Sequence, residues 1–436
     1  MKAQQTVQHL LDFIDASPSP WHAVATMETS LINAGFIELS ETEAWQLQAG
    51  GRYYVIRDDS SIIAFTVGAD SLIETGYKII GAHTDSPGLR VKPHALHKAG
   101  ELLRMGVEVY GGPILATFTD RDLSFAGRIS YKADSGAIKT QLVHFKQPLL
   151  RLPNLAIHMN RMVNEDGLKL HKQNELPLLF SMSSKQQVPD KVFTELLLSQ
   201  CDLTAEQIMS WELNVYDTQK GSFWGANQEF YADSQLDNLA SCHAGLQALL
   251  SDDVLVSGNT NVCAFFDHEE VGSESTKGAD GSFLSDVLER IALAQSLSTE
   301  SYKRALAQSF MLSVDMAHAY QPNFPAAYEP EHKVYVNKGP VIKLNANQRY
   351  SSESVSAARF ISWCQQAKVP YQQYSHRTEI PCGSTIGPMT SAKLGIRTVD
   401  VGGAMWAMHS IRESAGVLDH QYMIDVMQCF FTDKNS

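Results

Sequence analysis

Hydrophobic and polar positions change their period several times along this chain. Val24, Met27 and Leu31 recur at helical spacing behind Pro18 and Pro20, and Gly35 supplies a stop signal. Two β-rich runs follow, RYYVIRDD and SIIAFTVG, separated by an Asp-Asp-Ser turn that predicts a hairpin. Tyr77 to His83 reads as a strand running into the loop Thr84-Asp85-Ser86-Pro87-Gly88. From Arg90 to Asn227 the texture becomes short β-rich runs with frequent turns, such as GVEVYGG, ATFTD and LSFAGRISYK. Thr204-Ala-Glu-Gln207 has capping-box spacing and predicts a short helical part there. From Gln228 helix and strand alternate again. Leu239, Cys242, Leu246 and Leu249 share one helical face, further helices are expected over 281–294 and 354–366, and strands over 261–266, 310–314, 340–344 and 395–401.

This rhythm predicts an α/β fold, with a mixed, largely parallel sheet flanked by helices on both faces and an inserted, mainly β domain. Residues 1–89 and 228–436 form the discontinuous catalytic domain, and 90–227 the insertion. At ~150 residues per domain the 436-residue length fits two to three domains, or one large domain with an insertion. No stretch of 18 apolar residues is present, which excludes a membrane-spanning helix. The formal net charge of −13, without a Lys/Arg-rich run, argues against a nucleic-acid binder. The N-terminus lacks the apolar core of a secretory signal, and the six cysteines include no CxxC, so a reducing, cytoplasmic setting is expected.

Ligand-type side chains recur where strands end. His83 and Asp85 follow YKIIGA; Asp267, His268, Glu269 and Glu270 follow NVCAFF; Asp315 and His318 follow FMLSV; His409 lies in the loop after GIRTVDV; Asp237 opens a helix. Open α/β sheets bind ligands beyond the carboxyl ends of their strands. Each residue alone has an ordinary explanation, as a solvated loop, a helix cap or a structural histidine. Five segments delivering His, Asp and Glu to one edge point instead to a metal site. A hydrolytic two-metal site needs nitrogen and oxygen donors for both ions, a bridging carboxylate and a base facing the water. If Glu269-Glu270 is extended, its side chains point to opposite sides and divide the ligand and base roles. Asp85 is placed to orient His83.

The stretches SPSPWHAV, GAHTDSPGLRVKP, IHMNR, SQLDNLASC, FDHEEVGSES, SVDMAHA, NKGPVIKLNANQRY, PCGSTIGP and AMHSIRE, in that order, resemble the aspartyl aminopeptidase family of dinuclear zinc exopeptidases. The resemblance implies removal of N-terminal Asp or Glu from peptides, using two divalent ions, zinc before cobalt or manganese. It implies that His83 binds one ion and His409 the other, that Asp237 bridges them, and that Glu270 and Asp315 each complete one shell. Glu269 is then the general base and Asp85 the orienting residue. His158 matches a histidine that is either metal-linked or reaches a neighbouring subunit's active site, where it would stabilise a developing oxyanion. Lys343 and Tyr350, with His318, are the expected substrate-binding residues. A closed homododecamer that admits small peptides is implied, with no nucleic-acid or membrane partner. The chain departs from the family pattern at Gln321 and in Arg377-Thr-Glu379. Two other readings remain: a related amidase, deacylase or carboxypeptidase on the same metal pair, and a non-catalytic assembly or cargo protein on the same fold.

Overall fold

The computed structural model describes residues 2–184 and 186–434. Its largest sheet has nine strands, and four central ones, Thr260–Phe266, Tyr77–His83, Phe310–Val314 and Arg397–Gly402, run parallel. These strands are buried on both faces, as parallel strands under helices must be, so they read as near-continuous apolar runs. Alternate residues supply two cores. Ile80, Ala82, Cys263 and Phe265 face the helices Lys2–Asp15, Leu236–Leu249 and Val417–Thr432. Ile79, Val262 and Ala264 face the helices Phe283–Ala294 and Thr299–Gln308 on the opposite side. The hairpin of Arg52–Arg57 and Ser61–Thr66 extends the sheet antiparallel to Thr260–Phe266. Leu236–Leu249 is buried nearly all round, not on one stripe, because the sheet covers one side and Val417–Thr432 another.

Register decides what the strand ends present. Phe266 lies beside His83, and Ser313 beside Gly81. The residues that follow Phe266, His83 and Val314 therefore leave the sheet at one edge.

A second sheet of six antiparallel strands is built entirely between Gly88 and Asp217, around its own core of Leu103, Phe125, Ile129 and Leu213. A third, five-stranded sheet joins Ser222–Trp224 and Phe230–Asp233 to Glu413–Gly416, Ala404–Trp406 and Ala317–His318. Two local expectations fail. ATFTD is not β: Leu115–Phe118 is a 3₁₀ turn that drives Phe118 into the second core. Thr204 does receive the Gln207 side chain on its N–H, at 2.9 Å, but only a turn follows. The helix of this region is Pro189–Leu198, which starts on a proline and precedes that turn. No helix among the described residues is long and apolar enough to cross a membrane.

Candidate metal centre

His83 ends its strand with the ring fully buried. Its Nδ1 lies 3.0 Å from the Asp85 carbonyl, which can only accept, so Nδ1 carries the proton and Nε2 is left as a free donor atom. Asp85 is the hub of this corner. Its carboxylate accepts the amide of Glu269 at 3.1 Å, the amide of Glu270 at 3.1 Å and the hydroxyl of Tyr110 at 2.6 Å. Burial opposes its charge, yet His83, Tyr110 and the Glu270 amide hold its pKa below the usual carboxylate range.

Those two amides reach Asp85 because Glu269-Glu270 is not extended. His268 takes a left-handed conformation at φ 66°, and Glu269–Val271 forms one 3₁₀ turn. The adjacent side chains still diverge, now by helical rotation. Glu269 lies toward His83, with Oε2 3.9 Å from Nε2, and Glu270 toward His409, with Oε1 3.6 Å from Nε2.

Asp237 stands between the two histidines. Its Oδ1 is 3.4 Å from His83 Nε2 and its Oδ2 is 3.4 Å from His409 Nε2. The first residues of its helix are non-helical, and the Asp237–Asn238 peptide is cis. Asn238 anchors this start by donating to the Val314 carbonyl at 2.8 Å. Asp315 leaves the neighbouring strand, with its amide on Val401, and places Oδ1 3.8 Å from His83 Nε2. Gly402 lets that crossing happen, because a Cβ there would lie 1.9 Å from the Asp315 carbonyl oxygen. His409 sits at φ 67°, and its Nδ1 donates to the Gly112 carbonyl at 3.1 Å, which again frees Nε2.

Among the described residues, two groups of three ligand atoms fall within 4.8 Å of one another: His83, Asp237 and Glu270, and His83, Glu269 and Asp315. The donor set fits a divalent cation. Bonds of ~2.0–2.2 Å in a tetrahedron put neighbouring donors ~3.3–3.6 Å apart. The histidine–carboxylate separations here run from 3.4 to 3.9 Å. Asp237 Oδ1 is buried with no hydrogen-bond partner, an orphaned anionic acceptor of the kind a bound cation satisfies. The carboxylates also crowd each other. Burial, with Asp315, Asp85 and Asp237 nearby, pushes Glu269 up to about 8 against the pull of His83. Burial and Asp237 raise Glu270 well above its ordinary range. Burial works the same way on Asp237, but His409 and His83 hold it far below.

The expected substrate residues lie on the Asp315 side. Lys343 is buried, donates to the Met316 carbonyl at 3.2 Å and stands 3.6 Å from Asp315 Oδ2 and 5.1 Å from the Tyr350 ring centre. Burial and contact with Cys382 raise the Tyr350 phenol. His318 packs beside the rings of Tyr374 and His376; burial and then Lys343 lower it to about 4, so it is neutral at pH 7. His158 is not in this group: it lies in an exposed segment of the second sheet's connections. Asp267 and His268 also turn away, Asp267 to Lys277 at 3.1 Å and His268 to Ser275 at 2.9 Å.

Three contributors have little sequence signal. Tyr110 ends a strand of the second sheet, Gly112 offers only a carbonyl, and Glu413 accepts the amides of Asp237 and His409. Glu413 stands four residues after His409 in AMHSIRE, the one hint available.

Residues 13–431 match the family described as Aminopeptidase I zinc metalloprotease (M18). A probable M18 family aminopeptidase 2 from Stutzerimonas stutzeri (strain A1501) is 45% identical over 431 residues, 98% of this chain and 97% of the relative. Among solved structures, Ape4 in its complex with Nbr1 is 37% identical with a TM-score of 0.95, covering 99% of this chain and 86% of that one. The mApe1 dodecamer of S. cerevisiae is 27% identical with a TM-score of 0.85, covering 97% of this chain and 95% of that one.

Proposed function

The chain belongs to the M18 family of zinc aminopeptidases, and from that premise we propose that it removes acidic residues, Asp or Glu, from peptide N-termini at a two-zinc centre. The observation that carries the two-ion reading is Asp237, whose two oxygens each lie 3.4 Å from a different histidine. His83 and Asp315 would hold one ion and His409 and Glu270 the other, with Asp237 as the carboxylate shared between them. Bound ions supply Lewis-acid polarisation of the scissile carbonyl and acidify water. Glu269, beside that position, takes the proton of the attacking water and passes it to the leaving amine. Asp85 fixes the His83 tautomer and, through two amides, the turn that carries both glutamates.

The acidic preference rests on Lys343, a buried ammonium beside Tyr350 in an otherwise anionic centre. An acidic side chain entering there exchanges water for a desolvated cation, an interaction strengthened by low local dielectric. His318, neutral and next to Lys343, lines the same wall. The apolar side chains around His158 are exposed, Met159 by 74% and Leu155 by 62%, which suits burial against a second copy. The reading is therefore a closed homododecamer in which residues 90–227 make subunit contacts and His158 reaches a neighbour's centre. Six free cysteines support a reducing, cytoplasmic setting.

The test combines zinc stoichiometry with a panel of aspartyl, glutamyl, leucyl and N-acyl substrates, and mass in solution. Two zinc ions per chain and a preference for the acidic pair are expected. One zinc, faster leucyl or N-acyl hydrolysis, or a fully active monomer overturns the corresponding part.

A further inference from the structure

Glu413 is 1% exposed, and no Lys or Arg among the described residues lies within 4.0 Å of its carboxylate. Burying a carboxylate with no cation is costly, and an apolar side chain of similar size would stabilise the fold better. What Glu413 does have is backbone amides, those of Asp237 and His409, one per oxygen, with the Leu236 amide also directed at it. Oε2 accepts from Asp237 at 3.1 Å and Oε1 from His409 at 2.7 Å. Both residues sit in irregular backbone, Asp237 at the non-helical start of its helix and His409 at φ 67°, so neither amide has a helix or strand partner. The two residues come from segments 172 positions apart, and one side chain spans them. Glu413 itself is fixed as the first residue of the strand Glu413–Gly416, opposite Asp233.

We propose that Glu413 is a positioning residue that clamps the bridging carboxylate Asp237 and the ligand His409 at one spacing, and so supports more strongly the ion held by His409 and Glu270, for which it fixes two ligands and not one. This rests on the two-zinc reading above. His83 is oriented by Asp85, not by Glu413, so the two ions share the support of Asp237 but differ in the support of their histidines. In Glu413→Gln one amide meets an NH₂ instead of an oxygen; Glu413→Asp keeps the charge but is one methylene too short to span both.

The test is competition with a zinc chelator, read as zinc per chain, together with backbone hydrogen exchange in the unaltered, metal-free protein. Loss of an orienting partner typically weakens metal binding 10–100-fold. Both variants are therefore expected to release one ion at ~10-fold or more lower chelator concentration, with the other, which loses only the support of Asp237, weakened clearly less. The Asp237 and His409 amides of the unaltered metal-free protein are expected to exchange slowly. Retention of both ions, equal weakening of both, or exchange of these amides as fast as in an open loop overturns the clamp. If the unaltered protein binds only one zinc, the two-zinc reading fails instead, and the clamp stands only if both variants weaken that ion tenfold.

Discussion

Replacing Tyr110 by Phe isolates one hydrogen bond between the second sheet and the candidate metal centre. The Tyr110 hydroxyl donates to Asp85 Oδ2 at 2.6 Å, and burial followed by the Asp85 charge raises its pKa, so it remains a donor at any working pH. The ring is nearly buried and lies under the Arg90 guanidinium, 3.9 Å from the ring centre, a contact that Phe preserves. The change removes an oxygen and leaves the packing. Asp85 retains three donors, the Glu269 and Glu270 amides and His83, so it stays ionised but is held less firmly. A buried hydrogen bond to a charged group contributes ~1.5–3 kcal/mol. If most of that is spent on aligning His83 and Glu269 in the transition state, kcat/KM falls ~10–100-fold, because each 1.36 kcal/mol is a factor of ten. The assay is hydrolysis of an aspartyl chromogenic substrate at saturating zinc, with zinc per chain and Tm measured on the same samples. A modest fall in Tm with zinc retained is expected. An activity within twofold of the parent would refute the claim that Asp85 is steadied from the second sheet.

Glu269→Gln should retain zinc and lose ~10²–10⁴-fold in kcat, the range for a lost general base; normal kcat in a zinc-loaded sample removes Glu269 from the mechanism. Lys343→Met should lower kcat/KM for aspartyl substrates far more than for leucyl ones, and equal losses on both would make Lys343 structural. The contribution of His22 to stability should rise with pH up to ~6.5 and then level off. His22 is lowered to about 4 by burial and then by His144, so the folded state binds fewer protons than the unfolded one, and the stability present above 6.5 is lost as pH falls toward 4. A shift from 6.5 to about 4 amounts to ~3 kcal/mol at most. His243 and His420, 2.8 Å apart and both lowered by burial, act with the same sign. In His22→Gln the dependence of Tm on pH over that window should be shallower, and an unchanged slope would exclude His22 as a source.

The convergence of His, Asp and Glu side chains on one sheet edge is legible because it depends on a few regularities. Apolar runs such as YKIIGAH and NVCAFF can only be buried strands, and parallel strands release their next residues at one edge. What the sequence hid follows from contacts between distant segments. The left-handed His268 turns Glu269-Glu270 into a 3₁₀ turn, and nothing in FDHEE marks that; the cause is Asp85, 184 residues earlier, collecting its amides. Glu413 is invisible for the same reason, since its partners are backbone groups that any residue would present. The helix Val417–Thr432 buries one half of its circumference, but Asp419 and His420 sit on that half and Leu418, Tyr422 and Cys429 on the other, which blurs the amphipathic stripe that announces a surface helix. Phe118 was misplaced because an aromatic, Thr-rich run has strand propensity whether or not a ladder is available.

The two imidazoles that meet at Asp237 take their orientation from different partners. His83 is aligned by Asp85, which leans on Tyr110, and His409 by the carbonyl of Gly112. Both supports belong to one three-residue corner at the end of Leu102–Tyr110. The inserted region is thus no detachable accessory. A trimmed enzyme lacking residues 90–227 would keep every proposed metal-binding side chain, and Asp85 with them, yet lose the Gly112 carbonyl that decides which His409 nitrogen is free and the Tyr110 hydroxyl that steadies Asp85. For protein engineering, the usable cut points lie outward of that corner, in the far strands of the second sheet, where exchange alters the outer surface and leaves the imidazole tautomers alone.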